Sequence, residues 1–272
     1  MSPKPLRLDV YICPPVSIAA GSSDPTKQWW QPTAVAVIST NRHSVIIDTP
    51  REVLYLFSTH AHGDHLFGLP AVKAKHHGIK MLATPRVREG IKKSYESDMW
   101  DTFWVPLFPG NQLPARDTLV VPDALPPNLE FELDDFKLKA YDVPHGDCSH
   151  NSFLHVPSLD AVVASDIVYG DCHQYYAESP IKAARAGWLA ALDAIDALKP
   201  QVVIPGHPRE SQVLGAYLVE ATRRYAMVFE EELEKATSAE ELENRMIDLY
   251  PERWNHYILQ IGCQAVFAGK GA

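Results

Sequence analysis

The sequence predicts an α/β fold in which two mixed β-sheets are sandwiched between helices, with extra helices at the C-terminus. Strand-like segments fill most of the first 165 residues, and helical spacing dominates the chain after residue 180. With 272 residues, of which 46% are hydrophobic and 22% charged, the chain can bury a sizeable core. We expect one domain over residues 1–272, with 208–272 as a helical C-terminal portion.

The first strand candidates lie at residues 6–13, 33–39 and 44–48. They either alternate between apolar and polar residues or are short and rich in β-branched residues. Residues 54–58 form a continuous apolar run, which is typical of a strand covered on both faces. Residues 66–78 have helical spacing and end at Gly78, and residues 80–84 form another strand candidate. These segments predict a sheet followed by a helix and a further strand.

The rest of the chain predicts a second sheet and then helices. We interpret residues 87–127 as a helix and a long loop, and 129–143 as a hairpin that turns at Asp134 and Asp135. Further strands are predicted at 151–156, 161–164 and 202–204. Helices are predicted at 180–198, 208–236, 238–249 and 251–267, and Ser238 with Glu241 forms a capping-box pattern.

Charge, cysteine content and the chain ends limit the class of protein. A net charge of −9 argues against a nucleic-acid partner, because phosphate binding requires a basic face. The four cysteines have no disulfide or zinc-ribbon spacing, the N-terminus has no signal peptide, and no apolar run is long enough to span a bilayer. We expect a soluble, cytoplasmic protein with a small-molecule substrate and no membrane contact; a homo-oligomer remains open.

The strongest functional signal is His60-Ala61-His62-Gly63-Asp64-His65, directly after the apolar strand at residues 54–58. Imidazole and carboxylate groups bind zinc, iron and similar ions, and a turn after a strand directs several such groups to one point. Asp64 and His65 are adjacent, so they can serve a different ion from His60 and His62. The pattern predicts a metal site.

Three further candidate ligands follow the HxHxDH motif later in the chain. His145 closes Tyr141-Asp-Val-Pro-His145 after a strand, Asp166 ends the strand at 161–166, and His207 lies in Pro205-Gly-His207. With the HxHxDH motif, they make residues 33–207 resemble the metallo-β-lactamase superfamily. The resemblance implies a four-layer αββα sandwich with its metals between the sheet edges.

The resemblance also implies the ligands and the chemistry. His60, His62 and His145 would bind one divalent metal ion, Asp64, His65 and His207 would bind the other, and Asp166 would bridge the two, which we expect to be Zn²⁺. Because Asp stands at position 166 where some lactamases have Cys, the resemblance favours a dinuclear hydrolase of the lactonase or glyoxalase type. Asp48 matches a residue that orients a ligand in this family.

Two assignments rest on position within a motif. His145 competes with His150 for the third histidine position, and His145 is preferred because it follows the strand directly. Tyr169 lies three residues after Asp166, where lactonases of this superfamily carry a tyrosine that contacts the substrate carbonyl; packing in the pocket wall is the alternative. The catalytic candidates are therefore Asp64, Asp166 and Tyr169.

The expected reaction is metal-dependent hydrolysis. Two metal ions would hold a bridging hydroxide that attacks a carbonyl carbon and opens a small ester, lactone or lactam, while Asp64 or Asp166 handles the proton. Four aromatic residues are candidates for an apolar wall over the metals or for ordinary core: Trp100, Phe103, Trp104 and Phe108. The sequence leaves the substrate open among lactones, lactams, esters and thioesters.

Other functions of the same fold remain as alternatives. A mononuclear iron sulfur dioxygenase would leave His65 and His207 unused, and a phosphodiesterase or nuclease would favour a basic surface. A non-catalytic binding module requires that no metal be bound. One departure from the family is the short segment between Asp48 and His60, which leaves little room for a helix of the outer layer.

Overall fold

The computed structural model describes residues 6–19, 23–40, 42–47 and 53–270. The strands within these ranges are β1 (Arg7–Cys13), β2 (Val16–Ser17), β3 (Trp29–Trp30), β4 (Thr33–Ser39), β5 (Ser44–Ile47), β6 (Val53–Phe57), β7 (Lys80–Ala83), β8 (Asp123–Ala124), β9 (Glu130–Leu133), β10 (Phe136–Asp142), β11 (Ser152–Val156), β12 (Ala161–Ser165) and β13 (Val202–Pro205). Asp48, the expected orienting residue, lies outside the described residues.

The α-helices within the same ranges are α1 (Leu69–Lys75), α2 (Pro85–Glu96), α3 (Val105–Leu107), α4 (Lys182–Ala197), α5 (Tyr217–Lys235), α6 (Ala239–Leu249) and α7 (His256–Gly269). A π-helical segment, Trp100–Trp104, precedes α3. Short 3₁₀ turns occur at Pro25–Lys27, Gly63–His65, Arg116–Thr118 and Pro157–Leu159. No helix in the described ranges combines the length and hydropathy that a bilayer-spanning segment needs.

The strands form two large sheets and a small one. The first large sheet has the order β1-β4-β5-β6-β7-β8, is antiparallel up to β5 and is parallel from β5 to β8. The second has the order β13-β12-β11-β10-β9, and only its β12–β13 pair is parallel. β2 and β3 pair separately. Both large sheets are therefore mixed, as the sequence predicts.

Three apolar layers hold the sheets and helices together. Residues such as Ile38 and Phe57 of the first sheet pack against Leu138 and Leu154 of the second, which forms the core between the sheets. Helices α1 and α2 cover the outer face of the first sheet, and α4 to α7 contribute to the cluster on the outer face of the second. This arrangement is the expected four-layer αββα sandwich.

The C-terminal helices begin later than the sequence pattern suggests. Helix α5 begins at Tyr217 instead of residue 208, because Arg209 is held by Asp171: its backbone N–H donates to Asp171 Oδ1 (2.9 Å), and its side chain forms an ion pair with the same carboxylate. Helix α7 begins at His256, where Asn255 caps it. Ser238 caps α6 as expected, since its hydroxyl accepts from Glu241 N at 3.1 Å.

We expect Phe229→Ala to lower the free energy of unfolding by about 3–5 kcal/mol, because it leaves a cavity in a packed core. Phe229 of α5 is fully buried and stacks on Tyr176 with ring centroids 4.0 Å apart. Urea denaturation measures the change. Met227 of the same helix is 53% exposed, so Met227→Ala should change the unfolding free energy by less than about 0.5 kcal/mol. Equal losses in the two variants would contradict the prediction.

Candidate metal centre

The metal-ligand candidates meet at one edge of the two sheets, where several strands end. The HxHxDH segment follows β6, Asp166 follows β12, and His207 follows β13. An isolated β-bridge between His60 and Asn151 joins the loops from the two sheets. Strand ends thus bring residues that are distant in sequence to one place.

One set of side chains, which we call the second ligand group, consists of Asp64, His65 and His207, with donor atoms within 4.8 Å of one another. The 3₁₀ turn Gly63–His65 presents Asp64 and His65 at successive positions. The Nε2 atoms of His65 and His207 lie 3.4 Å apart, and Asp64 Oδ2 lies 3.7 and 3.6 Å from them. These three groups converge on one point, as expected.

The first ligand group consists of His60, His62, Asp147 and Asp166, whose donor atoms also lie within 4.8 Å of one another. His62 Nδ1 lies 3.0 Å from Asp147 Oδ2, and His60 Nε2 lies 3.7 Å from Asp166 Oδ2. All but His62 are buried below 2% exposure. The group combines two imidazoles with two carboxylates in a protected position.

Asp166 reaches both ligand groups. Its Oδ2 lies 2.9 Å from His207 Nε2, and its Oδ1 lies 3.3 Å from His65 Nε2. A Cβ atom at position 206 would lie 1.7 Å from Asp166 Oδ1, so the approach of Asp166 to the β13 turn requires Gly206. The carboxylate therefore occupies the position expected of a bridging ligand.

The side chains present fit a cation. His60 Nε2 and Asp166 Oδ1 are buried and have no hydrogen-bond partner among the described residues. An unsatisfied buried polar atom costs about 1–3 kcal/mol, and more when it is charged. Imidazole nitrogens and carboxylate oxygens are the donor types that zinc and similar divalent ions bind. A cation at this place would satisfy both atoms.

The ionisation of the site also suits metal ligands. Burial, with the neighbouring His65, lowers the pKa of His60 well below its ordinary value, which keeps the imidazole neutral. Burial opposes ionisation of Asp166, but the facing His207 and His65 lower its pKa well below the ordinary value. Burial raises the pKa of Asp147 to about 6. Near neutral pH the site therefore holds a neutral His60 and an ionised Asp166. Burial opposes protonation of His62, but the facing Asp147 raises the pKa of His62 well above its ordinary value.

Neighbouring groups orient the ligand candidates. The Trp30 indole N–H donates to Asp64 Oδ2 (2.9 Å), and Asn151 Nδ2 donates to Asp147 Oδ1 (2.8 Å). His207 Nδ1 lies 2.9 Å from the Pro32 carbonyl, which can only accept, so this nitrogen carries the proton and Nε2 keeps its lone pair. Such partners fix ring orientation and tautomer in metal sites.

The place expected for His145 is taken by Asp147. His145 lies outside both ligand groups, with its Nδ1 2.7 Å from the Gly146 carbonyl and its Cβ close to Gly187 of α4. His150, the alternative, packs against Gly90 of α2. The turn after β10 is closed by a hydrogen bond from Gly146 N to Cys148 O, and Asp147 is fully buried within it. In this structure Asp147, and not His145, is grouped with His60, His62 and Asp166.

Tyr169 lies within the site, as its sequence position predicts. Its hydroxyl lies 3.4 Å from Asp147 Oδ2 and 3.5 Å from Asp166 Oδ2, and the side chain is fully buried. Burial, together with Asp166, raises the pKa of Tyr169 well above its ordinary value, so the hydroxyl keeps its proton. It is therefore able to donate a hydrogen bond inside the site.

A cavity of about 20 Å³, which we call the site cavity, lies beside these groups and is closed by apolar side chains. Its apolar lining consists of Trp30, Met99, Phe103, Trp104, Tyr169, Tyr175 and Ile258. Of the aromatic residues singled out in the sequence, Phe103 and Trp104 form part of this wall. The other two lie beside it, because Trp100 packs on Phe67 (5.2 Å) and Phe108 on Trp30 (5.5 Å).

The comparisons with known proteins agree with this fold and site. A family model described as "Metallo-beta-lactamase superfamily" matches residues 30–207. The chain therefore belongs to the metallo-β-lactamase superfamily, and it is a hydrolase of that fold. The family implies divalent metal ions, and the two ligand groups are suited to hold them. No curated protein matches the chain.

Solved structures with the same fold are distant in sequence. A metallo-β-lactamase from Pontibacter korlensis is 17% identical, with a TM-score of 0.53, and the match covers 72% of this chain and 88% of that one. A metallo-β-lactamase from Hirschia baltica is 14% identical, with a TM-score of 0.52 and coverage of 81% and 93%. At these identities the likeness concerns the fold alone.

The residues that line the site cavity and were not singled out from the sequence include Trp30, Asp147, Glu178 and Ile258. The Asp147 carboxylate was detectable in principle, because it lies only two residues after His145. Trp30 and Ile258 carry no motif, since they reach the site only through the packing of loops and of α7. Only tertiary structure identifies residues of this kind.

Proposed function

We propose that the protein is a dinuclear metal-dependent hydrolase that opens a small ester, lactone or lactam. The observation that carries the proposal is the position of Asp166 between the two ligand groups, 2.9 Å from His207 and 3.7 Å from His60. A carboxylate shared in this way could serve two cations, as in two-metal hydrolases.

The ligand assignment follows from the two groups. His60, His62 and Asp147 would hold one cation, and the second ligand group (Asp64, His65, His207) would hold the other, with Asp166 between them. Zinc is the proposed metal, because neutral imidazole and carboxylate are among its preferred ligands. When bound, two such ions supply Lewis acidity and a water of lowered pKa, the source of the nucleophile expected from the sequence.

Protein side chains have separate roles in the proposed reaction. Tyr169, with its proton retained, would donate a hydrogen bond to the substrate carbonyl oxygen and so orient the substrate. Asp64 and Asp166 would accept a proton from the attacking water. The Trp30 N–H bond to Asp64 Oδ2 would keep that carboxylate aimed at the site.

The surroundings of the site favour a partly apolar substrate. The site cavity of about 20 Å³ is roughly the size that holds one water, so it admits little more than the reacting group. A larger pocket of about 450 Å³ shares Trp30, Asp64 and Trp104 with it and is lined mainly by apolar side chains. We place the apolar part of the substrate in that pocket.

A panel of four bond types tests the proposed function. Metal-depleted protein should hydrolyse none of a matched lactone, lactam, ester and thioester set, and two equivalents of Zn²⁺ per chain should restore turnover of at least one oxygen ester or amide. Metal analysis of protein purified without added metal should find two divalent ions per chain. One iron per chain with sulfur oxygenation, or no turnover of any member after reloading, would overturn the proposal.

A further inference from the structure

His62 lies between two carboxylates, one on each ring nitrogen. Its Nδ1 lies 3.0 Å from Asp147 Oδ2, and its Nε2 lies 3.0 Å from Glu178 Oε1. Asp147 belongs to the first ligand group, but Glu178 does not. The two nitrogens therefore face different surroundings, and the role of Glu178 is not explained by metal binding in that group.

A neutral imidazole carries one N–H and one lone pair, so the partner of one nitrogen decides what the other can do. Both ring nitrogens of His62 face carboxylates, which can only accept, at 3.0 Å. A cation held by the first ligand group, which includes Asp147 but not Glu178, requires a lone pair on the nitrogen that faces that group, and the proton is then on Nε2 next to Glu178. The lone pair is then on Nδ1, which faces the first ligand group. Histidines that bind metals usually donate their other N–H to such an acceptor.

We propose that Glu178 is a positioning residue that holds the Nε2–H of His62 and thereby presents Nδ1 to the first cation. The inference rests on the proposed function, because it takes the first ligand group to be a metal site. The proposed role of Glu178 is to orient His62 as a metal ligand, and it involves no step of the reaction. In this role Glu178 acts through His62 and does not itself bind the first cation.

The backbone around Glu178 is fixed in a way that suits this role. Arg185 of α4 donates to the carbonyls of Ser179 (3.0 Å) and Pro180 (2.8 Å), directly after Glu178. Ser179 N donates to the Tyr176 carbonyl at 2.9 Å. The Glu178 side chain is 37% exposed, so its contact with His62 lies at the boundary between the site and solvent.

Cys148 offers a competing arrangement. The donor atoms of His62, Cys148 and Glu178 lie within 4.8 Å of one another, so this set could itself hold a cation. Nε2 cannot carry a proton for Glu178 and bind a metal at once, so the two arrangements exclude each other.

Cobalt titration of metal-depleted protein in the presence of a competing chelator tests the proposal. In Glu178→Ala we expect the affinity for one of the two Co²⁺ ions to fall about 10–100-fold, while the affinity for the other stays within about twofold. Glu178→Gln retains an acceptor oxygen and should recover most of the loss. Exposed Glu210 provides the matched control, and Glu210→Gln should leave both affinities unchanged.

Two results would overturn the proposal. One is unchanged affinity for both ions in a Glu178→Ala protein whose thermal unfolding resembles that of the parent. The other is a cobalt–thiolate absorption band that Cys148→Ser removes, because it would place a cation on Nε2. A parent protein that binds no second ion would instead contradict the proposed function, and the titration separates that failure from loss of the Glu178 contact.

Discussion

Asp166→Ala should abolish metal-dependent hydrolysis and leave less than one bound divalent ion per chain. The carboxylate lies within 3.7 Å of imidazole nitrogens of His60, His65 and His207, so its removal affects both ligand groups. Residues that only support metal ligands typically contribute ~10–100-fold in affinity or activity, and a shared ligand should exceed that range. We therefore expect activity to fall by more than about 100-fold.

Metal analysis and turnover, measured on the same preparations, check this prediction. Asp248 is an exposed aspartate of α6, and Asp248→Ala should retain both ions and full activity. Circular dichroism should detect no loss of secondary structure in Asp166→Ala, because the carboxylate belongs to the ligand groups and not to the apolar core. Retention of two ions and normal turnover in Asp166→Ala would show that Asp166 is not a ligand.

Asp147→Ala and His145→Ala should have opposite outcomes. Removal of Asp147 should release the cation of the first ligand group and lower activity by about 100-fold, because Asp147 lies beside His62 in that group. Removal of His145 should change activity less than about twofold, because this side chain lies outside both groups and beside Gly187.

The pair of variants distinguishes the ligand set given by the structure from the one expected from sequence position. Zinc content and turnover are the two measurements, and each variant controls for the other because both lie in the same turn. If His145→Ala lost an ion while Asp147→Ala kept two, the turn would adopt a different arrangement when metal binds, and the assignment of Asp147 would be wrong.

Local residue patterns predicted most of the strands and helices that form the layers. The run TAVAVIS was predicted as a strand over 33–39, and β4 spans Thr33–Ser39, because alternating β-branched residues suit a strand between two packed faces. Local patterns did not predict the start of α5. Residues 208–216 include Gly215, which disfavours a helix interior, and this signal was not used. The contact between Arg209 and Asp171, 38 residues apart, is visible only in the structure.

The sequence predicted those site residues that belong to a motif or end a predicted strand. His60, His62, Asp64 and His65 share one short segment, so their proximity follows from the sequence, and the strand-end positions of Asp166 and His207 follow from the fold. The third member of the first ligand group was not predictable in this way. His145 was preferred because it follows the strand directly, whereas in the structure hydrogen bonds at Gly146 and Asn151 hold the turn with Asp147 in the first ligand group.

Three consecutive residues before β4 contact three different parts of the molecule. Trp30 donates to Asp64, Gln31 accepts from Asn255 Nδ2 at 2.8 Å, and the Pro32 carbonyl lies beside His207 Nδ1. The segment shared with the superfamily ends at residue 207, yet Asn255 lies well beyond it. A shortened protein that ended there would keep every ligand candidate but lose the hydrogen bond from Asn255 to Gln31, which lies between the residues that contact Asp64 and His207.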